Sequence, residues 1–196
     1  MTHPRFFGYG SLVHLGTHDY PDPQPATLTG WRRVWRHAKA RPVAFLSVEP
    51  CANTTLHGIT AQVPNADWAA LDLREHAYNR RDVTAQFGVD TAVYEADPNK
   101  TQDPSVGHPI LLSYLDVVIA GYQTLRHDGA AHFFATTHGW GPVLNDRDDP
   151  LYPRAKPLSA QTRTVVDNAL SDLSVPVHPP ERTLVDAIRN SAATAP

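Results

Sequence analysis

The sequence predicts an α+β fold, a mostly β first half followed by a helical second half. Three observations carry that reading. Residues 1–97 hold several short apolar and β-branched runs bounded by turn formers, with one helical pattern embedded among them. Residues 109–125 carry apolar side chains at Ile110, Leu111, Tyr114, Leu115, Val118, Ile119 and Tyr122, the 3.6-residue spacing of an amphipathic helix. Eighteen prolines in 196 residues argue against a long helical bundle and for short elements joined by rigid turns.

The elements follow in order. Residues 5–9 form an apolar run that breaks at glycine, as a buried strand ending in a turn does. Residues 16–27, with three prolines and no periodicity, are expected to be loop. Residues 29–37, rich in Trp and Arg, are a strand, and so are 42–48 and 57–63, separated by a turn-rich stretch at 49–55. Asn65 or Asp67 can cap a helix with Trp68, Leu71 and Leu73 on its apolar positions and Glu75 near its end. Residues 80–87 and 91–95 are a strand pair joined around Gly88. After the 109–125 helix, 130–137 is a short helix and 140–157, with four prolines, is irregular. Helices are expected at 159–170 and 180–190, with a frayed tail at 192–196.

Composition removes several functions. Seventeen Lys and Arg against twenty Asp and Glu give a net charge of −3, which argues against a general polyanion binder. The single cysteine, Cys51, excludes an intrachain disulfide framework and a cysteine-cluster metal site. The chain opens without a positively charged start followed by an apolar run, and no apolar stretch reaches about 18 residues. No signal peptide, no membrane span and a cytoplasmic location are expected.

Four stretches invite chemistry. In Gly8-Tyr9-Gly10-Ser11-Leu12, two glycines straight after a strand let the backbone turn sharply and present bare N–H groups. Position 13 is Val, which removes the GxGxxG and GxSxG patterns, and no Gly-Lys-Ser/Thr follows. Taken alone, these residues favour a tight turn over a ligand cradle. In Leu71-Asp72-Leu73-Arg74-Glu75-His76-Ala77-Tyr78, a glutamate among apolar and aromatic neighbours suits a general base, although a solvated helix end fits the same residues. The histidine spacings (His14 and His18; His127, His132 and His138) match no metal motif. Residues 31–41 interleave Trp31 and Trp35 with Arg32, Arg33, Arg36, Lys39 and Arg41. This is a pattern of single-strand nucleic-acid binders, but a strand with Trp inward and Arg outward fits the acidic chain better.

In order and spacing, these segments resemble the gamma-glutamylcyclotransferase-like family. The matching residues are Phe7-Gly8-Tyr9-Gly10-Ser11-Leu12, then Gly30-Trp31-Arg32-Arg33, then Leu71-Asp72, Arg74-Glu75 and Tyr78, with Arg80 or Arg81, Val83 and Ala92-Val93-Tyr94 after them. The Leu-Asp-x-Arg-Glu segment is similar to that of the glutathione-degrading branch. The sequence departs from that branch after Val48, where it has Glu49-Pro50-Cys51-Ala52-Asn53, and in the closer approach of Tyr78 to Glu75. The resemblance implies a small mixed β-barrel flanked by helices over residues 1–127, with 128–196 a helical, Pro-rich extension packed on the same domain. It implies a small-molecule gamma-glutamyl substrate closed to 5-oxoproline, with no metal or organic cofactor and no nucleic-acid partner. Glu75 would be the general acid/base. Tyr9, Gly10, Ser11 and Leu12 would supply backbone donors, and Tyr78 and Tyr94 would be hydroxyl partners at the rim. A hydrolase or transferase of gamma-glutamylamines, or a non-catalytic small-ligand binder, are the alternatives. The segment 140–157 is expected to pack over the barrel mouth and limit substrate size. The oligomeric state and the leaving amine are left open.

Overall fold

The structure, a computed structural model, describes residues 3–39 and 41–193. Its elements run β1 (Arg5–Gly8), β2 (Gln24–Ala38), β3 (Phe45–Gln62), α1 (Trp68–Arg74), β4 (Tyr78–Asp82), α2 (Thr84–Phe87), β5 (Thr91–Ala96), β6 (Thr101–Gln102) and β7 (Ile110–Leu111). They continue with α3 (Leu112–Leu125), α4 (Gly129–Ala135), β8 (Thr137–His138), β9 (Val143–Leu144), α5 (Ala160–Asp172), β10 (Val177–His178) and α6 (Arg182–Ala193). The fold is α+β. The main sheet has the order β4-β5-β1-β3-β2-β6, with β8 also beside β2, and curls strongly into a half-barrel. It is mixed: β1–β5 and β2–β8 are parallel and the other pairs antiparallel.

β1 is buried on both faces, which is why its sequence is a continuous apolar run and not an alternation. Phe7 packs with Leu28, Trp35, Leu46 and Val93 against Leu115, Ile119 and Tyr122 of α3 and Phe133 of α4. Phe6, one residue earlier, points the other way and packs with Leu71 of α1 and Tyr94 of β5. Full burial of each such side chain contributes about 1.5–3 kcal/mol. α1 forms where expected: Asp67 Oδ1 accepts the Ala70 N–H at 3.1 Å, and Leu71 is buried. Leu73, assigned to its apolar face, is instead 78% exposed.

The C-terminal segment closes on the same body. β7, β9 and β10 form a small parallel sheet, and Val166 and Leu170 of α5 belong to the main core. Asp146, 3% exposed, accepts the Ser113 N–H at 2.8 Å, the Ser113 hydroxyl at 2.6 Å and the Leu151 N–H at 2.9 Å. It thus caps the first turn of α3, where a carboxylate is favoured. The bidentate Arg147–Asp116 pair, at 2.7 and 2.8 Å, adds a second tie. α6 runs on to Ala193, into the tail expected to fray, and the remainder of that tail lies outside the described residues.

Other expectations change. Residues 24–27, expected as loop, begin β2. Its other neighbours, β8 and β6, pair only from Arg33 onwards, so Pro25 faces an open edge where its missing N–H breaks no ladder bond. The turn expected at 49–55 is a bulge inside one long β3. Between Thr29–Thr55 and Trp31–Pro50, β2 advances two residues and β3 five, with Gly30 opposite the excess at φ +85°. Residues 84–87, expected as strand, form the single turn α2, started by Asp82 accepting the Thr84 N–H at 2.8 Å and ended by Gly88 at φ +69°. Ile110 and Leu111 pair in β7, so the helix predicted from 109 starts at Leu112. In β2, Trp35 is buried as expected, and Arg32 and Arg36 face outward to Glu49. Arg33 is the exception and is fully buried.

His57 of β3 and His132 of α4 stack with centroids 3.6 Å apart and an interplanar angle of 11°, both with buried, unpartnered Nδ1 atoms. Burial first lowers both imidazoles, helped at His57 by the charges of Arg126 and Arg33 and at His132 by the stacked His57 and then Arg33 and Arg126, against the opposing pull of Asp128. His132 is held at about 4. Unfolded histidine titrates near about 6.5, so between that value and the folded one the unfolded chain binds more protons. Stability is therefore expected to fall as pH drops through this window. Urea midpoints at pH 7 and pH 5 test this: His132→Phe should narrow the gap between them, and an unchanged gap would refute the assignment.

Candidate active site

After β1 the chain passes through Tyr9 and Gly10 into a 3-10 turn at Ser11–Val13. The turn is held from below. The Tyr9 carbonyl accepts from Arg33 Nε at 3.0 Å and lies 2.9 Å from the Tyr122 hydroxyl. Arg33 Nη2 also donates to the His57 carbonyl at 2.6 Å and the Tyr122 hydroxyl at 2.5 Å. Thr17 Oγ1 donates to the Ser11 carbonyl at 2.9 Å, and His18 Nε2 lies 2.8 Å from the Leu12 carbonyl. With these carbonyls tied back, the N–H groups that open the turn have no acceptor within it. The Tyr114 hydroxyl on α3 lies against this turn, at Gly10.

Glu75 closes α1. Its N–H bonds the Leu71 carbonyl at 2.9 Å, and its own carbonyl accepts the Tyr78 N–H at 2.7 Å, so the chain reverses tightly into β4. Glu75 is half-buried, and its carboxylate is felt by three phenols. Tyr9, Tyr78 and Tyr94 are all shifted upward, chiefly by burial, with Glu75 adding to each. Neutral phenols donate, and these three donate to the scaffold: Tyr9 to the Tyr94 carbonyl at 2.6 Å, Tyr78 to the Leu46 carbonyl at 3.0 Å, and Tyr94 to Asp72 Oδ1 at 2.7 Å. Toward a ligand, the Tyr78 and Tyr94 hydroxyls are therefore acceptors.

All seven residues singled out in the sequence, Glu75, Tyr9, Gly10, Ser11, Leu12, Tyr78 and Tyr94, line one cavity of about 420 Å³. The size is that of a small-molecule site. Sequence reasoning missed five other lining residues that bear on its chemistry: Tyr20, Arg41, Tyr114, Tyr152 and Arg154. Six of the seven tyrosines in the chain are on this wall. Tyr152 and Arg154 come from the Pro-rich segment, which thus shares the cavity wall with Glu75. Among the described residues, no three of His, Cys, Asp and Glu are grouped to hold a metal ion, and no helix is long and apolar enough to cross a membrane.

A Cβ on Gly10 would lie 2.7 Å from the Tyr114 hydroxyl. Tyr114 is itself wedged edge-on between Trp35 and Tyr152, with centroids at 5.9 and 5.0 Å. Gly10→Ala is therefore expected to destabilise by about 1–3 kcal/mol, as overpacking does, and to lower ligand affinity. Denaturant melts and calorimetry check both, and a neutral result on both would show that the turn has room.

A family model described as gamma-glutamyl cyclotransferase, AIG2-like, matches residues 6–110. No curated protein matches the sequence. Among solved structures, YkqA from Bacillus subtilis is 16% identical with a TM-score of 0.49, over 70% of this chain and 56% of that one. This chain thus spans little more than half of YkqA. A protein described as gamma-glutamyl cyclotransferase is 14% identical with a TM-score of 0.49, over 85% and 99% of the two chains. A yeast gamma-glutamyl cyclotransferase specific to glutathione is 14% identical with a TM-score of 0.40, over 98% of each.

Proposed function

This chain belongs to the gamma-glutamyl cyclotransferase, AIG2-like family, and we propose that it closes a gamma-glutamyl peptide or amine to 5-oxoproline with release of the amine. The observation that supports this most is the meeting of Glu75 and the 9–12 turn on one cavity wall. The substrate's α-ammonium cannot attack until it loses a proton, and the Glu75 carboxylate takes it. The freed amine adds to the substrate's own γ-carbonyl, forming the C–N bond of a five-membered ring and a tetrahedral oxyanion. Backbone N–H groups of the 9–12 turn receive that oxyanion, and a donor so placed contributes about 3–4 kcal/mol in well-studied sites. Glu75 then returns its proton to the leaving nitrogen as the old amide bond breaks, and the second proton of the new ring nitrogen passes to the released amine, which leaves as an ammonium. No water is consumed, and atoms and charge balance. The attack is intramolecular, and effective molarities for such closures reach roughly 10⁵–10⁸ M, so a wall that holds the chain folded supplies much of the rate.

Incubating the purified protein with gamma-glutamyl-alanine and with gamma-glutamyl-ethylamine, and separating the products, tests this. The expected result is 5-oxoproline in equal amount to released amine. Free glutamate would mean hydrolysis, and unconsumed ligand that raises the melting temperature would mean a binding protein.

A further inference from the structure

Among the described residues, the side chains lining the cavity carry three formal charges, the Glu75 carboxylate and the guanidiniums of Arg41 and Arg154. These two arginines differ from most others in the chain. Among the described residues, nine arginines form ion pairs with Asp or Glu, and Arg33 is hydrogen-bonded into the core. Among the described residues, neither Arg41 nor Arg154 has an ion pair. Arg41 sits over the Phe45 ring at 5.6 Å, and its charge is felt by Tyr78, beside Glu75.

Arg154 is exposed but not on a loose arm. Two residues before it, the Tyr152 N–H reaches Ser113 Oγ at 3.4 Å, and one residue after it the Ala155 N–H bonds the Tyr152 carbonyl at 3.0 Å. The Tyr152 ring stands edge-on to Tyr114, the residue whose hydroxyl lies against Gly10 of the 9–12 turn. Through Asp146, Ser113 and Tyr152, the turn carrying Arg154 is fixed to the same end of α3 that braces the 9–12 turn. This turn lies outside the residues that the family model matches.

The wall's charge, two positive and one negative, is the complement of a gamma-glutamyl amino acid, which has two carboxylates and one ammonium. A gamma-glutamyl alkylamine lacks the second carboxylate. Glu75 and the turn meet the groups common to both, and Arg41, on the Glu75 side, serves the glutamyl end. Resting on the reaction reading above, we propose that Arg154 is a specificity-determining residue that pairs with a carboxylate on the amine half of the substrate.

Glutaryl-alanine and glutaryl-ethylamine lack the attacking α-amine, so calorimetry with them reads binding apart from turnover. In the wild type, glutaryl-alanine is expected to bind about ten- to a hundredfold tighter; in Arg154→Met the ratio should fall to within about threefold, with Arg154→Lys between. Arg41→Met should weaken both ligands alike. No preference in the wild type, an unchanged ratio in Arg154→Met, or a ratio lost only in Arg41→Met overturns the assignment. The gamma-glutamyl counterparts are assayed alongside for 5-oxoproline. If none forms while the binding ratio behaves as expected, the reaction reading fails and Arg154 keeps its role. If it forms while the ratio ignores Arg154, the reverse holds.

Discussion

Glu75→Gln is expected to lower kcat for 5-oxoproline formation by about two to four orders of magnitude, the usual contribution of a positioned acid/base. The amide keeps the size of the carboxylate but cannot take a proton from the substrate's ammonium or return one to the leaving nitrogen. The loss should fall on kcat and leave KM little changed, because the base acts on the proton and not on the rest of the ligand. The fold should survive. Its backbone bonds, to Leu71 and from Tyr78, are retained by Gln. Stability within about 0.5 kcal/mol of wild type is expected, as for a substitution that removes no packing. Steady-state kinetics beside a urea melt check the pair of statements. Full turnover in the variant would remove Glu75 from the chemistry even if the activity is real.

Arg33→Met is expected to cost about 1.5–3 kcal/mol of stability, the range for losing buried hydrogen bonds made by a charged group. Arg33 is 0% exposed. Its guanidinium is satisfied by the Tyr9 and His57 carbonyls, by Thr136 Oγ1 at 2.7 Å and by the Tyr122 hydroxyl. It also lies 4.7 and 4.9 Å from the ring centres of Tyr122 and Phe133. Met fills much of the same volume but leaves the Tyr9 and His57 carbonyls competing for the single Tyr122 hydrogen, and an unsatisfied buried acceptor costs about 1–3 kcal/mol. Because one of those carbonyls is Tyr9, the 9–12 turn should lose its support and activity should drop with stability. Arg33→Lys should fare little better, since one ammonium cannot span four acceptors arranged for a planar fork. Denaturant titration reads the outcome, and a loss below about 1 kcal/mol would show that the turn is held by other contacts.

How much of this was legible in the sequence depended on how local the deciding interactions are. The 68–74 helix was legible because Asp67 and Leu71 lie within two turns of each other, and the helix at 160–172 because Ser159 caps it directly. The seven candidate site residues were legible because three short segments carry them. Arg33 was not. In Trp31-Arg32-Arg33-Val34-Trp35 nothing local separates one arginine from the next. What draws Arg33 inward is a pair of carbonyls at Tyr9 and His57, both 24 residues away. The β3 bulge likewise depends on register with β2, not on the 49–55 stretch itself. Tyr114 was read only as an apolar helix position, and Arg154 joins the cavity through the seating of the C-terminal segment on α3, to which Asp146 contributes.

The crowding of phenols on the cavity wall has a practical side. With six of seven tyrosines there, the near-ultraviolet absorbance and circular dichroism of tyrosine in this protein come almost entirely from one place. A ligand entering the cavity changes the surroundings of most of those rings at once. The protein therefore carries its own optical reporter, and occupancy by a colourless, non-reacting ligand can be followed without a label and without turnover.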